Sequence, residues 1–243
     1  MRAMVLAAGL GTRLRPLTND RPKALVELGG KTLLEITLTR LASFGVREVI
    51  INVHHFADMV VDYLKARGNF GLRVEISRED DLLLDTGGGL KRAARFFLQD
   101  PARLDEAFLL HNVDVVSTID LRRLLDFHRQ REALASLAVQ QRESSRQLLF
   151  SPEDELAGRW INGRDPEFVR PIPNLKAFAF SGIHAISPRL LPKITEQGVF
   201  SIIESYLRLA REGEKILAFR ADEYRWRDLG KIEDLQQAER EFA

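Results

Sequence analysis

The stretch LAAGLGTRLRPLTNDRPKAL, residues 6–25, places a short glycine turn (Gly9 and Gly11) ahead of Arg13, Arg15 and Lys23. Those residue types suit the capture of an anion. Glycine lets backbone N–H groups approach phosphate oxygens with no Cβ between them, and basic side chains can close over the charge. The turn follows a continuous apolar run, residues 3–8, which reads as a buried strand ending at glycine. In open α/β sheets ligands bind outside the carboxyl ends of the strands, so the loop stands where a phosphate site belongs. Two familiar phosphate motifs do not match. The dinucleotide fingerprint needs glycine where Leu14 stands and an immediate helix, but Pro16 and Thr18 continue a loop. The P-loop needs Lys followed by Ser or Thr after its last glycine, and Thr12-Arg13 does not supply it. A structural turn with incidental charges is the competing reading. The recurrence of Arg13, Arg15 and Lys23 on one short loop counts against it.

The elements that must hold this loop can be read from hydrophobic period. Residues 32–45 repeat apolar side chains at helical spacing, with Thr32 as N-cap and Gly45 as stop. A strand at 47–55, a helix at 56–68 closed by Gly68 and a strand at 72–77 follow. A helix then opens on glycines at 86–100, and a buried strand at 107–116 leads into an acidic turn. A helix at 121–131 and a strand at 133–140 complete the alternation. This order predicts βαβ units: a Rossmann-like α/β fold with a mixed, mainly parallel sheet flanked by helices. Beyond residue 140 the pattern changes to a hairpin at 146–163, a strand at 177–187, a helix at 201–212, a strand at 215–221 and a closing helix at 232–241. No repeat, low-complexity tract or flexible linker intervenes, so residues 1–243 read as one domain with a small β subregion added in its second half.

Bulk properties bound the function. The 243 residues are 45% hydrophobic and 29% charged, enough apolar mass for a core. A net charge of +1 predicts neither a nucleic-acid nor a membrane partner, so any anion must be held by a local site. The absence of cysteine excludes disulfides, thiolate catalysis and cysteine-ligated metals. The N-terminal apolar run is too short for a secretory signal, and no stretch approaches the about 18 apolar residues of a membrane span. A cytoplasmic enzyme is the expectation.

The same residues resemble the signature of the sugar-1-phosphate nucleotidyltransferases, GxGTR followed about ten residues later by PK. The resemblance continues through INVHH, DTGGGL, the NVD strand end, AFSGIHAISP and WRDLG, in order over nearly the whole chain. Within that family the chain looks most like the short bacterial members without a C-terminal β-helix, the muramic acid-1-phosphate uridylyltransferase and mannose-1-phosphate guanylyltransferase-like group. The resemblance implies a nucleotide-diphospho-sugar transferase fold, with residues 1–140 as nucleotide-binding half and 141–243 as sugar-binding half and closing helix. The reaction implied is attack of a sugar 1-phosphate on an NTP, yielding an NDP-sugar and pyrophosphate with Mg2+. UTP with an N-acetylated sugar is the first expectation and GTP with mannose 1-phosphate or a related sugar the second. A non-catalytic nucleotide-sugar sensor is the rival from another class. Joint retention of Arg13, Lys23, Asp114 and Asp228 argues against it.

Two polyanions must meet in such a reaction, so positioning and charge neutralisation carry it. The resemblance gives Arg13 the β- and γ-phosphates and Lys23 the α-phosphate and sugar phosphate, as the catalytic cations. Leu6, Ala7, Ala8, Gly9, Gly11 and Thr12 line the nucleotide, with Arg15 either a further contact or an exposed loop residue. Asp114 and Asp228, far apart in sequence, would share one Mg2+; a turn cap and a helix N-cap are their bland readings. Thr86, Gly87 and Gly88 are candidates for reading the base, against glycines that merely allow close packing. Asn112, Gly182 and Glu204 are the sugar candidates, with Gly182 leaving room for a ring and Asn162 a further option.

Some positions depart from the family pattern. Val113 stands where glycine is usual, and Lys231 where threonine is frequent. The family's Glu-Lys pair, whose lysine holds the sugar phosphate, is missing, and Arg170 and Lys176 are the substitutes on offer. The five histidines form no zinc pattern: His54 and His55 would face opposite ways along a strand, and His111 reads as a satisfied core residue. Trp160 and Trp226 lie near substrate segments, where a core or lid role stays open. The partners implied are the two substrates, with a homodimer compatible.

Overall fold

The N-terminal apolar run forms β1 (Arg2–Leu6) in the computed structural model, which describes residues 1–242. All elements and counts that follow are of those residues. Every residue of β1 is buried, Arg2 included, and burial on both faces is why residues 3–6 are continuously apolar rather than alternating. Ala3 and Val5 enter one hydrophobic core, Met4 and Leu6 the other, so the strand feeds both faces of the sheet.

A short ribbon, β2 (Glu27–Leu28) and β3 (Lys31–Thr32), leads to α1 (Leu33–Ser43). The Thr32 hydroxyl caps that helix by accepting from the Glu35 N–H at 3.0 Å, and Gly45 ends it at φ 90. Next come β4 (Glu48–Val53), α2 (Ala57–Ala66), β5 (Arg73–Arg78) and α3 (Asp85–Leu98). Then follow β6 (Phe108–Asn112), β7 (Val115–Ser117), α4 (Leu121–Gln130) and β8 (Ala135–Gln140). The second half holds β9 (Arg146–Phe150), β10 (Leu156–Ile161), β11 (Glu167–Phe168) and β12 (Lys176–Ile186). It closes with α5 (Ile202–Arg211), β13 (Ile216–Arg220), β14 (Trp226–Asp228) and α6 (Ile232–Phe242).

Ten strands form one mixed sheet. Its parallel run is β5-β4-β1-β6. β12 lies antiparallel between β6 and β8, and β13 runs parallel to β8. The first part of β12, Lys176 to Phe178, leaves for an antiparallel extension with β9, β10 and β11. Helices α1, α2, α4 and α6 cover one face through Leu38, Leu64, Leu124 and Ala238; α3 and α5 cover the other through Phe97 and Tyr206. The expected mixed, mainly parallel sheet flanked by helices is present. No helix is long and apolar enough to cross a membrane.

Two local expectations are corrected. The strand expected over 107–116 breaks at Val113 and Asp114, because Val115 to Ser117 leave the main sheet to pair with Trp226 to Asp228. His54 and His55 lie beyond the end of β4, so strand alternation does not govern them.

Burial holds three histidines neutral. His111 is pushed down to about 4 by burial and then by Arg40, His128 to about 4 by burial and then by Arg189 and Arg129, and His184 to about 3 by burial and then by His111. His184 contacts the Tyr206 hydroxyl at 2.8 Å. His111 donates to the Asn112 carbonyl at 2.8 Å, but its Nε2 has no partner, so it is only half satisfied. A histidine whose folded pKa is depressed takes up a proton on unfolding, so its stabilisation is present above the unfolded pKa near 6.5 and is lost as pH falls. Urea midpoints at pH 7.5 and pH 5 should therefore differ, with a loss of at least about 1 kcal/mol per buried histidine. Equal stabilities at the two values would mean these rings are not neutral in the fold.

Candidate functional site

Loops at the carboxyl ends of β1, β4 and β6 open into a cleft with two lobes. The first, of about 450 Å3, is lined by Leu6, Ala7, Ala8, Gly9, Gly11, Thr12 and Lys23 together with Asn52, Asp85, Thr86 and Asp114. The second, of about 930 Å3, is lined by Gly182, Glu204, Trp160, Trp226 and Asp228 together with Arg142, Arg146, Arg159 and Arg164. Arg13 and Asn112 line both, so the lobes meet there. Volumes of this size suit small-molecule ligands.

The glycine turn is built to leave N–H groups open. Gly11 sits at φ 65, where a Cβ would lie 2.9 Å from Thr18 Cγ2, and its carbonyl accepts from the Thr18 hydroxyl at 2.8 Å. The N–H groups of Gly9, Leu10 and Gly11 make no hydrogen bond among the described residues. Arg15 is exposed and lines neither lobe.

Four residues from four parts of the chain converge where the lobes meet. Lys23, buried at 7% exposure, forms an ion pair with Asp114. Asp228 comes alongside because β14 pairs with β7, opposing Asp228 to Val115, and the Leu229 N–H donates to the Asp114 carbonyl at 2.8 Å. A Cβ built on Gly230 would lie 2.6 Å from Arg13 Nη2 and 2.7 Å from Asp228 Oδ1, so glycine is what lets that guanidinium and carboxylate crowd the turn. Burial raises the Asp228 pKa and the Asp114 charge raises it further, while Lys23 and Arg13 oppose them. Asp228 Oδ1 is buried without a partner.

Other expected residues are placed differently. Thr86 lines the first lobe, and its hydroxyl accepts from the Ile202 N–H at 3.0 Å. Gly87 and Gly88 do not line the cleft. Their N–H groups donate to the Phe200 carbonyl at 2.9 and 3.3 Å, and a Gly87 Cβ would meet the Phe200 ring at 2.3 Å. These glycines serve packing of α3 against the segment before α5. Gly182 sits at φ 70, where a Cβ would lie 2.9 Å from Asn112 Nδ2, so the room it leaves is filled by the Asn112 side chain. Glu204, half-exposed, stands 3.5 Å from Arg159. Asn162 is exposed and outside both lobes. Arg170 is paired with Glu155 at 3.2 Å and the Lys176 ammonium donates to the Pro152 carbonyl at 3.1 Å, both away from the cleft.

Sequence reasoning passed over Asn52 and Glu79, which hold the first lobe together. Asn52 Oδ1 accepts from the Ala7 N–H at 2.7 Å, and its Nδ2 donates to Glu79 Oε1 at 2.7 Å. The other oxygen of Glu79, wholly buried, accepts from the Leu84 N–H at 2.9 Å. A polar chain thus ties the strand end at Ala7 to Leu84, just before α3. The available signal was an asparagine inside the apolar run VIINV. Replacing it by alanine strands the Ala7 N–H and Glu79 Oε1 in the interior. The Asn52→Ala variant should lose about 1–3 kcal/mol in urea denaturation, and an unchanged midpoint would show that the chain of bonds does not carry the lobe.

Comparisons with known proteins agree with this geometry. The family model described as Nucleotidyl transferase matches residues 2–148. An N-acetylmuramate alpha-1-phosphate uridylyltransferase of Caulobacter vibrioides is 35% identical over 219 residues, covering 87% of this chain and 85% of that protein. A mannose-1-phosphate guanyltransferase of Yarrowia lipolytica is 27% identical over 236 residues, with 96% of this chain spanning 62% of that protein's length. Among solved structures, HddC from Yersinia pseudotuberculosis complexed with GMP-PN superposes with a TM-score of 0.77 at 22% identity, over 100% of this chain and 99% of that one. UDP-glucose pyrophosphorylase from Acinetobacter baumanii gives 0.77 at 16% identity, over 100% and 93%. At those identities the structural likeness speaks for the fold.

Proposed function

Because the chain belongs to the nucleotidyl transferase family and is a sugar-1-phosphate nucleotidyltransferase, we propose that its cleft joins UTP to an N-acetylated sugar 1-phosphate. The observation that carries this reading is the convergence of Arg13, Lys23, Asp114 and Asp228 where the two lobes meet. The uridylyltransferase relative at 35% identity favours UTP and an N-acetylated sugar. The guanyltransferase relatives support GTP with mannose 1-phosphate as the second reading. Such substrates would place the protein in the cytoplasm.

In this reading the first lobe takes the nucleotide and the second the sugar. A phosphate oxygen of the sugar 1-phosphate attacks the α-phosphorus, a P–O bond forms there, and the bond to the β-phosphate oxygen breaks to release pyrophosphate. The nucleophile already carries negative charge, so no side chain has to remove a proton. Arg13 grips the β- and γ-phosphates with its planar fork, and the open N–H groups from Gly9 to Gly11 add donors. Lys23 supplies a point charge toward the α-phosphate. Thr86, in the first turn of α3 and lining the same lobe as Ala7 and Ala8, borders the base.

Asp114 and Asp228 fit a Mg2+ ion. Their donors are hard oxygens, Asp228 Oδ1 is buried with no partner, and Mg2+ binds through few protein carboxylates, completing its shell with phosphate and water. When bound, the ion supplies neutralisation of phosphate charge.

The test is pyrophosphate release with UTP, GTP, CTP, ATP and dTTP against a panel of sugar 1-phosphates, with and without Mg2+. A strong Mg2+-dependent rate with UTP and an N-acetylated sugar is expected. NDP-sugar binding without pyrophosphate release from any pair would make the protein a sensor instead. The Asp114→Asn variant should keep its thermal midpoint yet turn over at least ~100-fold more slowly. A near-normal rate would remove Asp114 from the metal site.

A further inference from the structure

The second lobe contains a half-buried cation, Arg142, that forms no ion pair among the described residues. Arg142 follows β8, whose last residue is pinned by Gln140 Nε2 donating to the Ala221 and Tyr224 carbonyls, each at 2.8 Å. The Arg142 guanidinium lies 3.8 Å from the centre of the Trp226 ring, and its Nη2 donates to the Phe180 carbonyl at 2.9 Å. Trp226 is itself fixed, its Nε1 donating to the Ser181 carbonyl at 2.7 Å. Both carbonyls belong to the irregular stretch of β12, where the register shifts between Phe180 and His184 and Gly182 takes φ 70. The bulge thus supplies the acceptors that lock guanidinium and indole together.

Among the described residues Arg142 forms no ion pair, and its Nε is buried without a partner. Burial pulls its pKa down and the charge of Asp228 pulls it back up. A half-buried cation in direct contact with no carboxylate among the described residues costs free energy, part of which an arriving anion would offset. The neighbouring cations are less suited. Arg159 is committed to Glu167 at 2.7 Å and Arg227 to Glu241 at 2.6 Å, while Arg146 and Arg164 are exposed at the rim, where water screens them.

We propose that Arg142, backed by Trp226, binds the phosphate of the sugar 1-phosphate in the second lobe, the task that neither Arg170 nor Lys176 is placed to perform. This rests on the function proposed above. A guanidinium offers a phosphate two parallel N–H donors, whereas lysine offers a point charge, so the site selects for geometry as well as charge. The indole face keeps the fork in one orientation before substrate arrives.

Calorimetric titration of N-acetylmuramate 1-phosphate and mannose 1-phosphate into wild type, Arg142→Gln and Arg142→Lys tests it, with UTP titrated in parallel. Arg142→Gln should weaken the better sugar phosphate at least ~20-fold and leave UTP within ~2-fold, and Arg142→Lys should recover part of the loss. Trp226→Leu should weaken the sugar phosphate less, by about 3-fold. Unchanged sugar-phosphate affinity in Arg142→Gln overturns the proposal, as does an equal loss of UTP, which would mark general damage. Absence of binding of either sugar phosphate to wild type also overturns it. Wild type that binds a sugar phosphate in an Arg142-dependent way but releases no pyrophosphate with UTP or GTP would refute the proposed reaction and leave the subsite standing.

Discussion

The pairing of β7 with β14 is the constraint on which the cleft depends. It brings Asp228 beside Asp114 across more than a hundred residues of chain, so two carboxylates come to lie close together. Like charges at short range are tolerated only where cations stand against them, and here Lys23 and Arg13 do so. Each of the four is delivered by a different segment. Asp114 sits in the turn after β6, Asp228 ends β14, Lys23 lies in a short helical turn after Pro22, and Arg13 passes the bare backbone of Gly230. The two lobes share a border because these segments share one place.

Legibility in the sequence followed the range of the interactions. Hydrophobic period marked nearly every element of the first 140 residues, since a strand buried on both faces and an amphipathic helix carry their signals locally. The glycine turn at Gly9 and Gly11 was legible for the same reason: its chemistry is packed into a few consecutive residues. The break at Val113 was not, because what removes Val115 to Ser117 from the main sheet is a partner strand far along the chain. For Gly87 and Gly88 a glycine run looks alike in sequence whether a ligand or a phenylalanine ring approaches it; in the fold the Phe200 ring stands against Gly87, and it lies more than a hundred residues away. Arg142 carried no local mark at all. Its meaning comes from Trp226 and from a bulge in β12, neither adjacent to it in sequence.

Buried polar groups recur wherever two loops must hold a fixed spacing around the cleft. Asn52 and Glu79 link the strand end at Ala7 to the loop before α3. The Thr86 hydroxyl and the Gly87 N–H link the start of α3 to the start of α5 and to Phe200 just before it. Gln140 joins the end of β8 to the segment before β14. Each link uses an uncharged amide or hydroxyl, or a carboxylate satisfied by N–H donors, so the spacing is held without leaving a buried polar group of the link unsatisfied.

β12 has a mechanical consequence. Its first residues belong to the antiparallel extension and its last to the main sheet, so one backbone crosses from one to the other without a loop. Hydrogen-bonded strands resist bending except where their ladder is interrupted, and in β12 the interruption falls between Phe180 and His184. The bend of the strand therefore falls at the carbonyls that grip Arg142 and Trp226, so the backbone that turns from the extension into the main sheet is also the wall of the cleft.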